Sequence, residues 1–167
     1  KKLTILIIGG SLGSRVINEY ISKNIQYFKK INVSLIWQCG NYYYEDYKNF
    51  NSKNVKVVSF INSIIEAYDS ADIIVTRAGA SVISELCIIG KPVIFIPSPN
   101  LTEDHQTKNA KAISEKGGCA LIKDSDAKNT MLKTAFDSFE NKSKMDSMKK
   151  SLSKLSSPNA TQKIVNK

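Results

Sequence analysis

Short apolar runs alternate with longer stretches of helical spacing along most of the chain. Residues 3–8 are almost continuously apolar and stop at Gly9-Gly10. Residues 15–28 then carry Val16, Ile17, Tyr20 and Ile21 at the spacing of one helix face. The same reading predicts strands over 33–37 and 55–58, with a short helix over 42–50 between them. A helix over 64–68 precedes a strand over 73–75. Residues 81–89 are helical and end at Gly90, and Pro92 opens a strand over 93–96. A helix over 104–116 stops at Gly117-Gly118, and residues 120–122 form a sixth strand. From Asp126 onward the pattern is helical only, with breaks near Asn141 and at Pro158.

Strands this short and this evenly apolar are buried on both faces, which points to a parallel sheet covered by helices. The expected fold is therefore α/β, a Rossmann-like parallel sheet of about six strands with helices on both faces. Residues 1–167 read as one domain, with an α/β core to about residue 140 and C-terminal helices over 141–167. Gly9, Gly10, Gly13, Gly40 and Gly79 follow predicted strands, whereas Gly90, Gly117 and Gly118 follow helices. In such sheets ligands sit beyond the carboxyl ends of the strands, where the first group of glycines lies.

Composition narrows the class. The 42% hydrophobic and 23% charged residues are those of an ordinary globular domain. No apolar run approaches the ~20 residues of a membrane span. The chain opens on Lys1 directly before a strand, as expected of a piece of a longer protein. Cys39, Cys87 and Cys119 are far apart, no CxxC occurs, and His105 is the only histidine. That argues against a zinc site and a disulfide framework, and for a reducing compartment. No metal and no Asp-x-Asp metal motif is expected.

The net charge of +9 is uneven. Residues 141–167 hold seven lysines and one aspartate, a balance of +6. A solvated lysine-rich helix and an anionic membrane surface both fit this segment. Lysine outnumbers arginine 22 to 2, which weakens a nucleic-acid reading, because Arg is the preferred bidentate reader of bases.

Three strand-to-helix loops carry candidate chemistry. Gly9-Gly10-Ser11-Leu12-Gly13-Ser14-Arg15 is a glycine-rich turn into a helix, suited to backbone approach by a phosphate or sugar. It is neither GxGxxG nor a Walker loop, and the second strand ends in Gln38-Cys39-Gly40 without a ribose-binding acid, so nicotinamide cofactors are not expected. In Thr76-Arg77-Ala78-Gly79-Ala80-Ser81-Val82-Ile83-Ser84-Glu85, small residues leave a helix N-terminus open. Amides near Ser81 and Val82 suit a diphosphate, and Glu85, about one turn in, suits a ribose diol. The third loop, residues 97–110, brings Gln106, a donor and acceptor for sugar hydroxyls, and His105. Each feature alone also has a plain structural reading: a tight turn, an acid near a helix start, a capping histidine.

The GGSLGSR, RAGASVISE and DHQTKNA stretches together resemble the MurG family of bacterial transferases, from Leu3 to about Val165. That family adds N-acetylglucosamine to the lipid-linked muramyl-pentapeptide precursor of peptidoglycan. The resemblance implies the C-terminal, donor-binding half of a two-domain GT-B architecture, with an N-terminal acceptor half outside this chain. It implies an inverting hexosyl transfer that converts lipid I to lipid II, serving cell-wall biogenesis, cell shape and division. The implied location is the cytoplasmic side of the inner membrane, as a peripheral protein. No cofactor is implied.

The resemblance also implies roles. Arg15 and the Ile61 backbone would meet the uracil, and Glu85 the ribose diol. The amides of Ser81 and Val82 would meet the diphosphate. The Ala80 backbone, Gln106 and His105 would face the sugar. Cys39 stands where the family usually has Ser or Thr near a phosphate, and Val82 where Thr is common. Arg77 is expected to support its loop rather than touch ligand. The catalytic base is expected outside this chain. Alternatives on the same fold are the donor subunit of another GT-B enzyme, a UDP-sugar epimerase, and a non-catalytic nucleotide-binding module. The expected partners are UDP-N-acetylglucosamine, the lipid-linked acceptor through the other half, and an anionic membrane surface, with no nucleic acid.

Overall fold

The structure is a computed structural model that describes residues 2–30, 32–99 and 104–156. Six strands, β1 (Thr4–Ile8), β2 (Ser34–Gln38), β3 (Val55–Val58), β4 (Ile73–Thr76), β5 (Val93–Phe95) and β6 (Ala120–Leu121), form one sheet in the order β3-β2-β1-β4-β5-β6. Every pairing between these strands is parallel. The chain returns to the middle of the sheet between β3 and β4, so the reversal of strand order falls between β1 and β4. A crevice opens at such a point beyond the strand ends.

Side-chain alternation along the strands builds two cores. Ile5, Ile7, Leu35, Trp37, Ile73 and Val75 face one side, against α1 (Arg15–Lys30) and α6 (Ala127–Glu140). From α1 come Ile17, Tyr20 and Ile21 of the predicted face, with Val16 half-buried beside them, and Ile25 and Phe28 extend it. Leu6, Ile8, Ile74, Val93 and Phe95 face the other side. There they meet α3 (Ile64–Ser70), α4 (Ala80–Ile89), α5 (His105–Ser114) and α7 (Lys142–Leu155). Both faces of the central strands are therefore covered, as expected of strands that are apolar at most positions, while Lys56 on the edge strand β3 is exposed.

Two elements differ from the sequence reading, and a third shows a packing that the sequence reading left open. Residues 42–50 are not one helix: 3-10 turns at Asn41–Tyr43 and Lys48–Phe50 flank a single α turn, α2 (Tyr44–Tyr47). The aromatic rings set this path, since Tyr47 and Phe50 lie 5.0 and 6.1 Å from the buried Trp37 ring. β6 is shorter than expected, at two residues. The helix at 141 belongs to the packed domain, because Met148 and Leu152 of α7 are buried in the second core. Asn141 does break the helical run, and its side chain caps α7 by accepting from the Lys144 N–H. The expected break at Pro158, with the rest of 157–167, lies outside the described residues. Among the described residues no helix is long and apolar enough to cross a membrane.

Candidate functional site

The β1–α1 loop is pressed against the end of β2. Gly13 has φ +87°, and a Cβ there would lie 2.1 Å from the Cys39 carbonyl oxygen. Gly40 has φ +91°, and its Cβ would lie 2.3 Å from the Gly13 nitrogen. Only glycine satisfies both the left-handed backbone and the close approach. The Gln38 side chain ties the loop down: its amide donates to Gly10 O (2.8 Å) and Ser59 O (2.9 Å), and its oxygen accepts from Gly10 N. One buried amide thus links the ends of β1, β2 and β3. Beneath it, Asn18 donates to Cys39 O and accepts from the Trp37 indole, both at 2.9 Å.

Arg77, at the end of β4, does support its loop. It donates to Ile96 O at 3.0 Å, to Pro97 O at 3.3 Å and to Ser14 Oγ at 2.5 Å, and it pairs with Asp124. Its side chain is only 16% exposed. The expectation of no Asp-x-Asp spacing needs a correction, since Asp124-Ser125-Asp126 has it. In the structure Asp124 is held by Arg77, and Asp126 accepts from its neighbour Ser125 at the start of α6. Among the described residues no three His, Cys, Asp or Glu side chains group as metal ligands would.

The N-terminus of α4 is open. Gly79 precedes it without a side-chain cap, and a Cβ on Gly79 would meet nothing within 4 Å. The first bonded amide is Ile83 N–H, to Gly79 O at 3.0 Å. Among the described residues none accepts from the amides of Ala80, Ser81 and Val82. Ala80 and Ser81 are exposed and Val82 is half-buried. Three parallel N–H groups and the helix dipole make this an anion-attracting point on the rim. Glu85 lies one turn further on, exposed, and its carboxylate accepts from the Tyr68 hydroxyl at 3.0 Å.

The other candidates lie along the same rim. Arg15 is the first residue of α1, and its exposed guanidinium pairs with Glu19 at 2.7 Å. Ile61 follows β3 and lines a cavity of about 640 Å³ with Phe60, Asn62 and Glu66. Gln106, half-buried, accepts from Ser98 N–H at 2.9 Å, and its NH2 group has no acceptor among the described residues. His105 is exposed at the start of α5. From β3 to β4 the rim spans three strand spacings, about 14 Å.

Cys39 is placed differently from the expectation of a phosphate-side contact. It is fully buried, and its thiol donates to Val58 O at 3.4 Å. Burial also raises its pKa, as it does for Cys87 and for Cys119, which is pushed up to about 12. All three therefore stay protonated, packed thiols. Sequence reasoning missed two polar partners. Gln38 is a polar residue at the end of an otherwise apolar strand, a signal that was legible. Tyr68 lies 17 residues from Glu85, and nothing in the sequence joins them.

Residues 4–164 match the model of the glycosyltransferase family 28 C-terminal domain. The chain is 52% identical over 166 residues to the UDP-N-acetylglucosamine–N-acetylmuramyl-(pentapeptide) pyrophosphoryl-undecaprenol N-acetylglucosamine transferase of Flavobacterium psychrophilum. The match covers 98% of this chain and 45% of that relative, so the chain spans about half the length of the curated relatives it matches. The crystal structure of Acinetobacter baumannii MurG superposes with a TM-score of 0.83 at 32% identity, over 99% of this chain and 49% of that one. UDP-GlcNAc 2-epimerase from Neisseria meningitidis, bound to UDP-GlcNAc, superposes at 0.69 over 99% of this chain and 43% of that one. At 16% identity, the latter likeness is one of fold alone.

Proposed function

The chain belongs to the glycosyltransferase family 28 C-terminal domains, and from that membership and the open rim at α4 we propose that it is the donor-binding half of an N-acetylglucosaminyltransferase. Its donor is UDP-N-acetylglucosamine, and its acceptor is the lipid-linked muramyl-pentapeptide, held by an N-terminal half of the GT-B architecture. The observation that carries this reading is the N-terminus of α4, where three amides, a clear approach past Gly79 and the Glu85 carboxylate lie within the first two turns.

The chemistry follows from charge. As the glycosidic bond to UDP breaks, negative charge develops on the diphosphate. The amides of Ala80, Ser81 and Val82 already point where that charge appears, and they need no reorganisation to stabilise it. Glu85 accepts the ribose hydroxyls, and Arg15 with the Ile61 backbone holds the uracil. Gln106, oriented through Ser98, turns its NH2 group to the sugar, with His105 beside it. Cys39 contributes through its backbone, since its thiol is buried. The group that deprotonates the acceptor hydroxyl belongs to the other half or to the cleft between the halves. The reaction serves peptidoglycan synthesis, with the protein held peripherally at the cytoplasmic face of the membrane.

Calorimetric titration of the 167-residue chain tests the reading. UDP-N-acetylglucosamine and UDP are expected to bind, more tightly than ADP or NAD, with no transfer to a lipid-linked acceptor. Tighter binding of ADP or NAD, or turnover by this chain alone, would sink it.

A further inference from the structure

Tyr68 lies on α3 and is only 2% exposed, yet its hydroxyl emerges at the surface carboxylate of Glu85. A buried tyrosine normally finds a partner for its O–H. This one finds it on the next helix, on the residue that stands one turn beyond the open amides of α4. An exposed glutamate has several rotamers, and holding it in one costs side-chain entropy. The Tyr68 ring is locked in the second core among Leu6, Ala67 and Leu86, so it offers a fixed donor. The bond uses Oε2 and leaves Oε1 open to a ligand. Burial first, and then the bond to Glu85, raises the Tyr68 pKa above its ordinary value, so the hydroxyl remains a donor through neutral and mildly alkaline pH.

We infer that Tyr68 is a positioning residue: its hydroxyl fixes the Glu85 carboxylate for a ribose diol and so gives the site its preference for ribonucleoside over deoxyribonucleoside diphosphates. This rests on the reading of Glu85 as the ribose contact. The backbone amides of α4 grip any diphosphate alike, so they cannot tell the two sugars apart. Discrimination has to come from a side chain that accepts from the hydroxyls. A carboxylate does so effectively only if it is already in place when the ligand arrives.

The test compares UDP with its 2′,3′-dideoxy analogue by calorimetry, on the chain itself and on Tyr68→Phe, Glu85→Ala and the double variant. The unaltered chain is expected to prefer UDP by about tenfold or more, the scale of a charged hydrogen bond. Tyr68→Phe is expected to weaken UDP about fivefold and leave the analogue unchanged, with a melting temperature within about 4 °C. Glu85→Ala is expected to abolish the preference, and adding Tyr68→Phe to it should change nothing further. Equal weakening of both ligands by Tyr68→Phe would make Tyr68 merely structural and overturn the inference, as would an unchanged preference. In either case a lost preference in Glu85→Ala would leave the ribose reading standing. A full preference in Glu85→Ala, or no binding of either nucleotide, would overturn the ribose reading itself and the inference with it.

Discussion

In a chain with 22 lysines, the position of its second arginine carries information. The Arg77 guanidinium bridges Ser14 after β1, Ile96 and Pro97 after β5, and Asp124 after β6. A planar fork with five donors can hold three loops at once, whereas an ammonium group is a single point of attachment. Arg77→Ala would leave the Asp124 carboxylate, with a side chain 17% exposed, next to two carbonyl groups that lose their donor. Removing one partner of such a pair costs about 3 kcal/mol, or about 6–12 °C of melting temperature in a domain of this size. Arg77→Lys should recover less than half of that loss. Thermal melting decides: a wild-type midpoint for Arg77→Ala would mean that the rim is held by other contacts.

At the scale of elements, the glycines divide into those that hold loops together and those that leave space. Gly13→Ala drives a Cβ into the Cys39 carbonyl at a left-handed φ, so the β1–α1 loop must separate from the end of β2. Gly79→Ala meets no protein atom and has an ordinary φ of −67°, so the fold should lose no more than about 1 kcal/mol. The new methyl group would nevertheless stand on the approach to the α4 amides. Melting and UDP titration run together should show Gly13→Ala mainly destabilised and Gly79→Ala stable but weaker for UDP. Unaltered affinity in Gly79→Ala would move the diphosphate away from α4. This division also marks how far the sequence could be read. The strand and helix order was legible because the strands are mostly apolar and turn signals separate them from the helices, as Gly90 closes α4. Glu85 and the open α4 start were legible from the small residues before them. The path of residues 41–50 was not, because it follows ring packing on Trp37 rather than a periodicity. The burial of Cys39 was not, because it depends on Val58, 19 residues away. Nor was the docking of α7, which needs β5 and α4 to be in place before Met148 and Leu152 have anything to cover.

For the whole molecule the uneven charge becomes a question of geometry once α7 is seen to be packed. Met148 and Leu152 turn one side of the helix to the core, while Lys142, Lys144, Lys149, Lys150 and Lys154 are exposed. Of these, Lys149 lies 3.7 Å from Asp146, which offsets part of its charge. Fixing one side of α7 to the domain means that its lysines are presented by a rigid body rather than by a loose tail. The lipid-linked acceptor proposed above would require the site to work close to a membrane, and a basic surface there would gain about 1 kcal/mol for each lysine that reaches anionic headgroups. A single helix face brings two or three lysines to a plane, so the attraction should total about 2–3 kcal/mol. That is too weak to anchor the domain by itself but enough to bias its orientation. Binding of that kind is reversible and falls steeply with salt, because screening acts over about 8–10 Å. Co-sedimentation with vesicles should therefore show binding to anionic but not neutral phospholipid, lost in high salt and reduced when Lys142, Lys144, Lys149 and Lys150 are changed to Gln. Equal binding to both lipids, or binding indifferent to salt or to the four substitutions, would mean that these lysines only keep the outer side of α7 in water.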